Sequence, residues 1–258
     1  MFGFGRWRRR RIRAQAFPED WERLLKHNLR LYPYLPEADR RELRGHILVF
    51  LAEKKFAGGG GLQITDEMRV TIAGHACMLL LHRETEVYPA LRSIIVYPHQ
   101  YAAPRTERDA LGVVTEGYQV RMGESWGRGV VVLAWDAVQA TASDLHHCHN
   151  VAIHEFAHQL DVEDGRADRA PLLSDGTAYS GWARALSQDY SRLQQEAAWG
   201  RATLLDPYGG TSPAEFFAVV TECFFQRPHQ LRAAYPALYG ELRRFYRLDP
   251  ADLLPPVG

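Results

Sequence analysis

In the segment Val151-Ala152-Ile153-His154-Glu155-Phe156-Ala157-His158-Gln159-Leu160, two histidines stand four residues apart, with a glutamate directly after the first. An α-helix turns residues four apart onto one face, about a turn from each other, so both imidazoles can reach a single ion. Neutral imidazole suits zinc. Two ligands from one helix leave room for a third and a water, the layout of a catalytic rather than a structural site. Glu155, beside the first histidine and off its axis, can take a proton from such a water as a general base. The flanking Val151, Phe156, Ala157 and Leu160 are the residues expected of a helix buried behind a metal. A buried helix rarely accepts His, Glu and His without partners, which weighs against two incidentally stacked histidines.

The third ligand has to come from elsewhere. In Asp206-Pro207-Tyr208-Gly209-Gly210-Thr211-Ser212-Pro213-Ala214-Glu215-Phe216-Phe217-Ala218 the donor is Glu215, but Ser212-Pro213-Ala214-Glu215 also reads as a capping box. A capping glutamate points back along its own backbone, and spacing does not choose between the two roles. Asp164, six residues past His158, sits where some zinc peptidases with an elongated motif place a ligand, although Asp161 stands where those use glycine. Glu222, two helical turns after Glu215, is either a ligand or a partner that orients a histidine.

These residues need elements to hold them. Trp21, Leu24, Leu25 and Leu29 form one helical stripe ending near Pro33, and Leu43, Ile47, Phe50 and Leu51 form another closing at the glycine run 58–61, a flexible joint. A third helix begins at Thr65 or Asp66 and runs toward Leu80. From Ser93 to Trp135 short β-branched runs (Ile94 to Tyr97, Val113-Val114, Tyr118 to Val120, Val130 to Leu133) predict a small antiparallel sheet. The histidine-bearing helix follows, then one from Trp182 to Trp199 and a last one near Ala214 to Gln226, before a Pro-rich tail. His146, His147 and His149 surround Cys148. If the motif helix starts early, His147 shares its face and a second metal becomes conceivable, although polar residues at a helix entrance explain the cluster without one. His75, His82 and His99 read as surface or satisfied core residues, and Trp135 and Asp136 as the end of a strand.

Asn150 through Asp161 (NVAIHEFAHQLD), then Tyr208, then Glu215 to Ala218 (EFFA), together with Gly123-Glu124-Ser125-Trp126 and Gly129 to Leu133, are similar to the Mlc titration factor A family of bacterial zinc metallopeptidases. The catalytic domain of that family is related to that of anthrax lethal factor. The resemblance covers most of the chain. It implies a glutamate-type zincin fold, one Zn2+ per chain with Glu215 as third ligand, and Tyr208 pointing into the site to assist catalysis. It also implies aminopeptidase-like action on small substrates. The family's named member binds a glucose-responsive transcriptional repressor and so relieves repression of sugar-uptake genes, which implies a DNA-binding repressor as a partner here.

With 258 residues, 46% of them hydrophobic, the chain can bury a substantial core. Its formal net charge of zero offers no global attraction to nucleic acid or membrane. Only Arg6, Arg8, Arg9, Arg10, Arg11 and Arg13 around Trp7 form a strong patch, read as a solvated, mobile arm over residues 1–16. Cys77, Cys148 and Cys223 are too few and too far apart in sequence for a disulfide scaffold and suit a reducing cytoplasm. No apolar stretch reads as a secretory signal or a membrane span. The expected architecture is therefore α+β and zincin-like, with a small, mostly antiparallel sheet. A helical portion over 17–92 and a catalytic portion over 93–258 are expected to pack as one unit. The expected chemistry is hydrolysis of a peptide or protein substrate. The rivals are a repressor-titrating protein using the zinc fold as a scaffold, and a structural zinc protein without turnover.

Overall fold

The apolar stripes predicted for the first half of the chain become α2 (Glu19–Asn28), α3 (Glu37–Glu53) and α4 (Asp66–Met78) in the computed structural model. The structure describes residues 2–83, 86–108, 114–121, 123–126, 129–144, 146–162 and 176–256. α4 starts where its capping residue predicts, with Thr65 Oγ1 accepting from the Met68 amide. Its eight residues from Thr71 to Met78 are all buried, so it is a core helix rather than a surface one. The Arg-rich segment read as a mobile arm is instead a helix, α1 (Phe2–Arg13). Arginine is a good helix former, and α1 is tied to α3 by Arg9, which donates from Nε and Nη2 to the two carboxylate oxygens of Glu53 at 2.8 and 3.0 Å.

The sheet differs from the expected antiparallel one. Lys55–Gly58, which runs up to the first glycine of the supposed joint, is a strand, β1, which pairs in parallel with β2 (Ser93–Tyr97). β2 pairs in parallel with β6 (Val130–Ala134), and only β5 (Gly123–Trp126) joins antiparallel, giving the order β1-β2-β6-β5. β3 (Tyr101–Arg108) and β4 (Val114–Arg121) form a separate antiparallel pair. Two causes hid this. The sequence Lys-Phe-Ala-Gly lacks a β-branched run, and α4, which looked like one more packing helix, is the crossover that parallel neighbours require. The glycines still act locally: Gly60 and Gly61 have φ of 58° and 79°, a left-handed turn that ends β1.

After β6 come α5 (Trp135–Ser143), α6 (Val151–Val162), α7 (Gly176–Ala198), a 3-10 turn at Pro207–Gly210 and α8 (Pro213–Gln226). Trp135 and Asp136 thus open a helix rather than close a strand. The Pro-rich tail continues in α9 (Pro228–Ala234), α10 (Pro236–Tyr246) and α11 (Pro250–Leu253). Each begins with proline. Its missing N–H costs nothing in a first helical turn, so these prolines start helices rather than break them.

α6 and α8 lie side by side and are braced from behind. Phe156 of α6 packs edge-on to Phe50 of α3 at 5.7 Å and against Tyr88 at 5.2 Å. On α8, Phe217 meets Trp182 of α7 at 6.0 Å and Phe245 of α10 at 5.7 Å. Full burial of such a ring is worth about 1.5–3 kcal/mol, so the two helices are fixed by both ends of the chain. A disulfide, Cys148–Cys223, links the approach to α6 with α8 across 75 residues. The pairing was unforeseen because separation in sequence says nothing about two helices packed side by side. Cys77 is a free, buried cysteine. Among the described residues, no helix is long and apolar enough to cross a membrane.

Candidate metal centre

Asn150 opens α6. Its side-chain oxygen accepts from the Ile153 amide at 3.0 Å and its carbonyl from the His154 amide at 2.9 Å. With the helix starting there, His154 and His158 share one face, their ring centroids 4.8 Å apart. His147 falls outside the helix and pairs with Asp144 at 2.7 Å on the surface, so it does not extend the face. Among the described residues, the one group of three metal-ligating side chains whose donor atoms converge is His154, His158 and Glu215, within 4.8 Å of one another.

At Glu215 both readings of the capping sequence meet. Ser212 Oγ accepts from the Glu215 amide at 3.2 Å and caps α8, so the serine half of the box is made. The Glu215 carboxylate does not return to that backbone. Its Oε2 lies 3.0 Å from His154 Nε2 and 3.3 Å from His158 Nε2, and the two Nε2 atoms are 3.2 Å apart. A tetrahedral zinc with ligands at about 2.0–2.1 Å separates those ligands by about 3.3 Å. The three contacts have that length, and the residues present fit such an ion. Asp164 lies outside the described residues.

Glu222, two turns further along α8, is 2% exposed and faces the other edge of His154. Its Oε1 is 2.7 Å from His154 Nδ1, while Oε2 accepts from the Asn150 amide at 2.5 Å and pairs with His149 Nδ1 at 2.9 Å. Glu222 therefore stands behind the histidine and not among the converging atoms. It fixes the proton of His154 on Nδ1 and directs Nε2 toward Glu215. Asn150 and His149 were not predicted as parts of this arrangement. The position of Asn150 just before an apolar helix is an N-cap signal that was there to be read.

The electrostatics follow from burial and proximity. Burial alone lowers the affinity of His154 for a proton, but the charge of Glu222 and the hydrogen bonds of Glu215 and Glu222 outweigh it and hold its pKa well above the ordinary value. Burial likewise opposes ionisation of Glu215 and Glu222. Hydrogen bonds from His154 and His158 to Glu215, and the charge of His154 with the hydrogen bonds of His149 and His154 to Glu222, keep both carboxylates below the usual range. His149 is raised, chiefly by its hydrogen bond to Glu222. Glu155 behaves oppositely. Burial pushes its carboxyl up from 4.5 to about 7 against the pull of both histidines, a value at which it can both accept and return a proton near neutrality.

Tyr208 lies in the 3-10 turn, whose start is fixed by Asp206 Oδ1 accepting from the Tyr208 amide at 2.8 Å. The next residue, Gly209, is buried against α7 and α8, and a Cβ there would stand 3.2 Å from Leu193 Cδ2 and Val219 Cβ. That close approach brings the Tyr208 ring to 6.3 Å from the His154 ring while leaving the residue 50% exposed. Of the other histidines, His75 is buried, with its pKa lowered to about 4 by desolvation, and is a neutral core residue. His82 pairs with Asp39 and Glu42, and the exposed His99 with Asp136.

A helix presenting two histidines and a buried glutamate, faced by a second helix bearing a carboxylate, in an α+β fold, is the arrangement of a metallopeptidase. The chain belongs to the glucose-regulated metallo-peptidase M90 family, whose profile matches residues 4–247. It is 37% identical over 245 residues to an uncharacterized protein of Synechocystis sp., slr2042, covering 95% of this chain and 89% of the relative. It is 31% identical over 235 residues to Mlc titration factor A of Klebsiella pneumoniae, with 89% and 86% covered, and 29% identical over 248 residues to that of Yersinia pestis, with 95% and 89% covered. Membership of a metallopeptidase family implies a metal cofactor.

Proposed function

We propose that this chain is a zinc-dependent peptidase in which His154, His158 and Glu215 hold one Zn2+, Glu155 is the general base and Tyr208 assists at the carbonyl oxygen. The observation that carries the reading is the convergence of the three donor atoms at 3.0, 3.2 and 3.3 Å, the edges of a zinc tetrahedron. Two imidazoles and one carboxylate suit zinc better than the oxygen-rich sets of calcium or magnesium. When bound, zinc supplies Lewis acidity to a water and to the substrate carbonyl.

The remaining chemistry belongs to the side chains. Glu155 accepts the proton of the attacking water and delivers it to the leaving amine, which its pKa of about 7 supports. The Tyr208 hydroxyl donates to the oxygen on which negative charge develops, a role open to a half-exposed ring near His154. Glu222 keeps His154 in the tautomer that offers Nε2. The action is aminopeptidase-like on small peptides. Two measurements test this on the purified chain: metal analysis, expected to give one zinc per chain, and a peptide library offered with free and acetylated N-termini. Cleavage confined to free termini supports aminopeptidase action. Cleavage of both sets would make the enzyme an endopeptidase, and absence of zinc would remove the proposal.

The names of the relatives favour a second reading, in which the chain titrates a DNA-binding transcriptional repressor and uses the zinc fold as a scaffold. That reading requires a cytoplasmic location. A scaffold needs neither a general base beside the converging donors nor a tyrosine near His154, so Glu155 and Tyr208 favour turnover. If Glu155→Gln abolishes the biological effect while repressor binding survives, peptidase action is the output. If the effect persists, binding is.

A further inference from the structure

α1 meets the rest of the protein along one side. Ile12 packs on the core, Arg9 pairs with Glu53 and Glu86, and Arg13 lies over Gly45 with Nη2 3.5 Å from His46 Nδ1. At about 100° per residue, the opposite side presents Arg6, Arg10, Trp7, Arg11 and Arg8 in angular order, over an arc of about 200°. All five are exposed, although Arg8, at the edge of the arc, also lies 3.8 Å from the Glu53 carboxylate. Trp7 is 55% exposed and carries the Arg11 guanidinium 5.1 Å from its ring centroid. The helix has no acidic residue and opens with Phe2-Gly3-Phe4-Gly5.

We propose that this face of α1 binds the surface of an anionic lipid bilayer, with its arginines on headgroup phosphates and Trp7 in the interface. The whole chain has a formal charge of zero, so attraction to an anionic surface has to be local, and α1 is where positive charge is concentrated. A basic helix face with an interleaved aromatic is the composition of interfacial helices, because indole is most favourable where one edge meets hydrocarbon and the other water. A nucleic-acid duplex would also attract the arginines, but with its bases already stacked it would leave the indole in the middle of the stripe in water. The anchoring of Arg9 to Glu53 holds the helix formed before contact, so binding does not have to order it. With four arginines and one tryptophan, the contact is reversible and salt-sensitive.

The test is co-sedimentation of the full chain with vesicles of phosphatidylcholine plus phosphatidylglycerol, and with vesicles of phosphatidylcholine alone. Wild type should bind the first and not the second, and salt should weaken the binding. Each arginine removed should cost about fivefold, so the triple variant Arg6→Gln, Arg10→Gln, Arg11→Gln should lose about 100-fold. Trp7→Ala should weaken binding to the same vesicles. Metal content and melting temperature should stay those of wild type in both variants, because all four side chains are exposed. Equal binding to both vesicle types, no binding to either, or a triple variant or Trp7→Ala that binds like wild type would overturn the proposal. Tighter binding to duplex DNA than to anionic vesicles at the same ionic strength would also overturn it and assign the face to nucleic acid.

Discussion

Glu222 accepts a hydrogen bond from His154 Nδ1 at 2.7 Å, across 68 residues of sequence. The same carboxylate takes the Asn150 amide that opens α6, so one side chain of α8 fixes both the start of the histidine helix and the orientation of its first imidazole. Glu222→Gln keeps an oxygen for these donors but removes the charge. It should lower zinc affinity by about 10–100-fold, the usual effect of losing a partner behind a metal-ligating histidine. Competition with a chromophoric chelator measures this, and wild-type affinity would show that Glu222 is only a core residue.

Ser212 and Glu215 separate capping from metal binding. Ser212→Ala removes the acceptor of the Glu215 amide and should cost about 1 kcal/mol of stability while leaving zinc affinity alone. Glu215→Ala should instead weaken zinc binding far more than Asp164→Ala. Chelator titration and thermal unfolding of the three variants check both halves, and wild-type zinc affinity in Glu215→Ala would return the position to Asp164.

The raised carboxyl of Glu155 makes stability depend on pH. Between the ordinary value of 4.5 and about 7, the folded chain holds a proton that the unfolded chain has released. Stability therefore falls as pH rises through that window. Glu155→Gln abolishes the effect. In metal-free protein the variant should be more stable than wild type by on the order of 1–3 kcal/mol at about pH 8, and the gain should vanish near pH 4. Urea unfolding at both pH values tests it, and a variant no more stable than wild type at pH 8 would contradict it.

Much of this centre is visible in the sequence because helix geometry is local. A spacing of four residues from His154 to His158 puts two imidazoles on one face whatever surrounds them, and the structure does bring Glu215 to both. What sequence could not decide was where Glu215 points. Ser212 makes the cap either way, and only the packing of α8 beside α6 turns the carboxylate across. β1 was missed for a related reason. Lys55 to Gly58 is a strand through pairing with β2 rather than through its own propensity, and together with the β2–β6 pairing it makes the sheet largely parallel. The Cys148–Cys223 link and the His149–Glu222 pair are contacts between distant segments and leave no spacing to read. The prolines at 228, 236 and 250 were legible as helix starts, yet the segment was read only as a Pro-rich tail.

Tyr208 separates catalysis from binding. A hydroxyl that meets charge only in the transition state contributes to turnover and not to metal affinity. Tyr208→Phe should lower kcat by about 10²-fold, the scale of a lost oxyanion donor, with zinc content and melting temperature unchanged. Unchanged kcat would refute the role, and joint loss of zinc and stability would make the residue structural.

The central claim is that this metal centre hydrolyses peptide bonds through Glu155, and the most direct test is the Glu155→Gln variant, assayed beside wild type for zinc content and for cleavage of the same peptide. Glu155 is absent from the converging trio, so zinc should remain at one per chain. Hydrolysis should fall by more than about 10²-fold, because the variant side chain cannot accept the water's proton. Cleavage within about threefold of wild type, with zinc retained and contaminating peptidase excluded, would contradict the account.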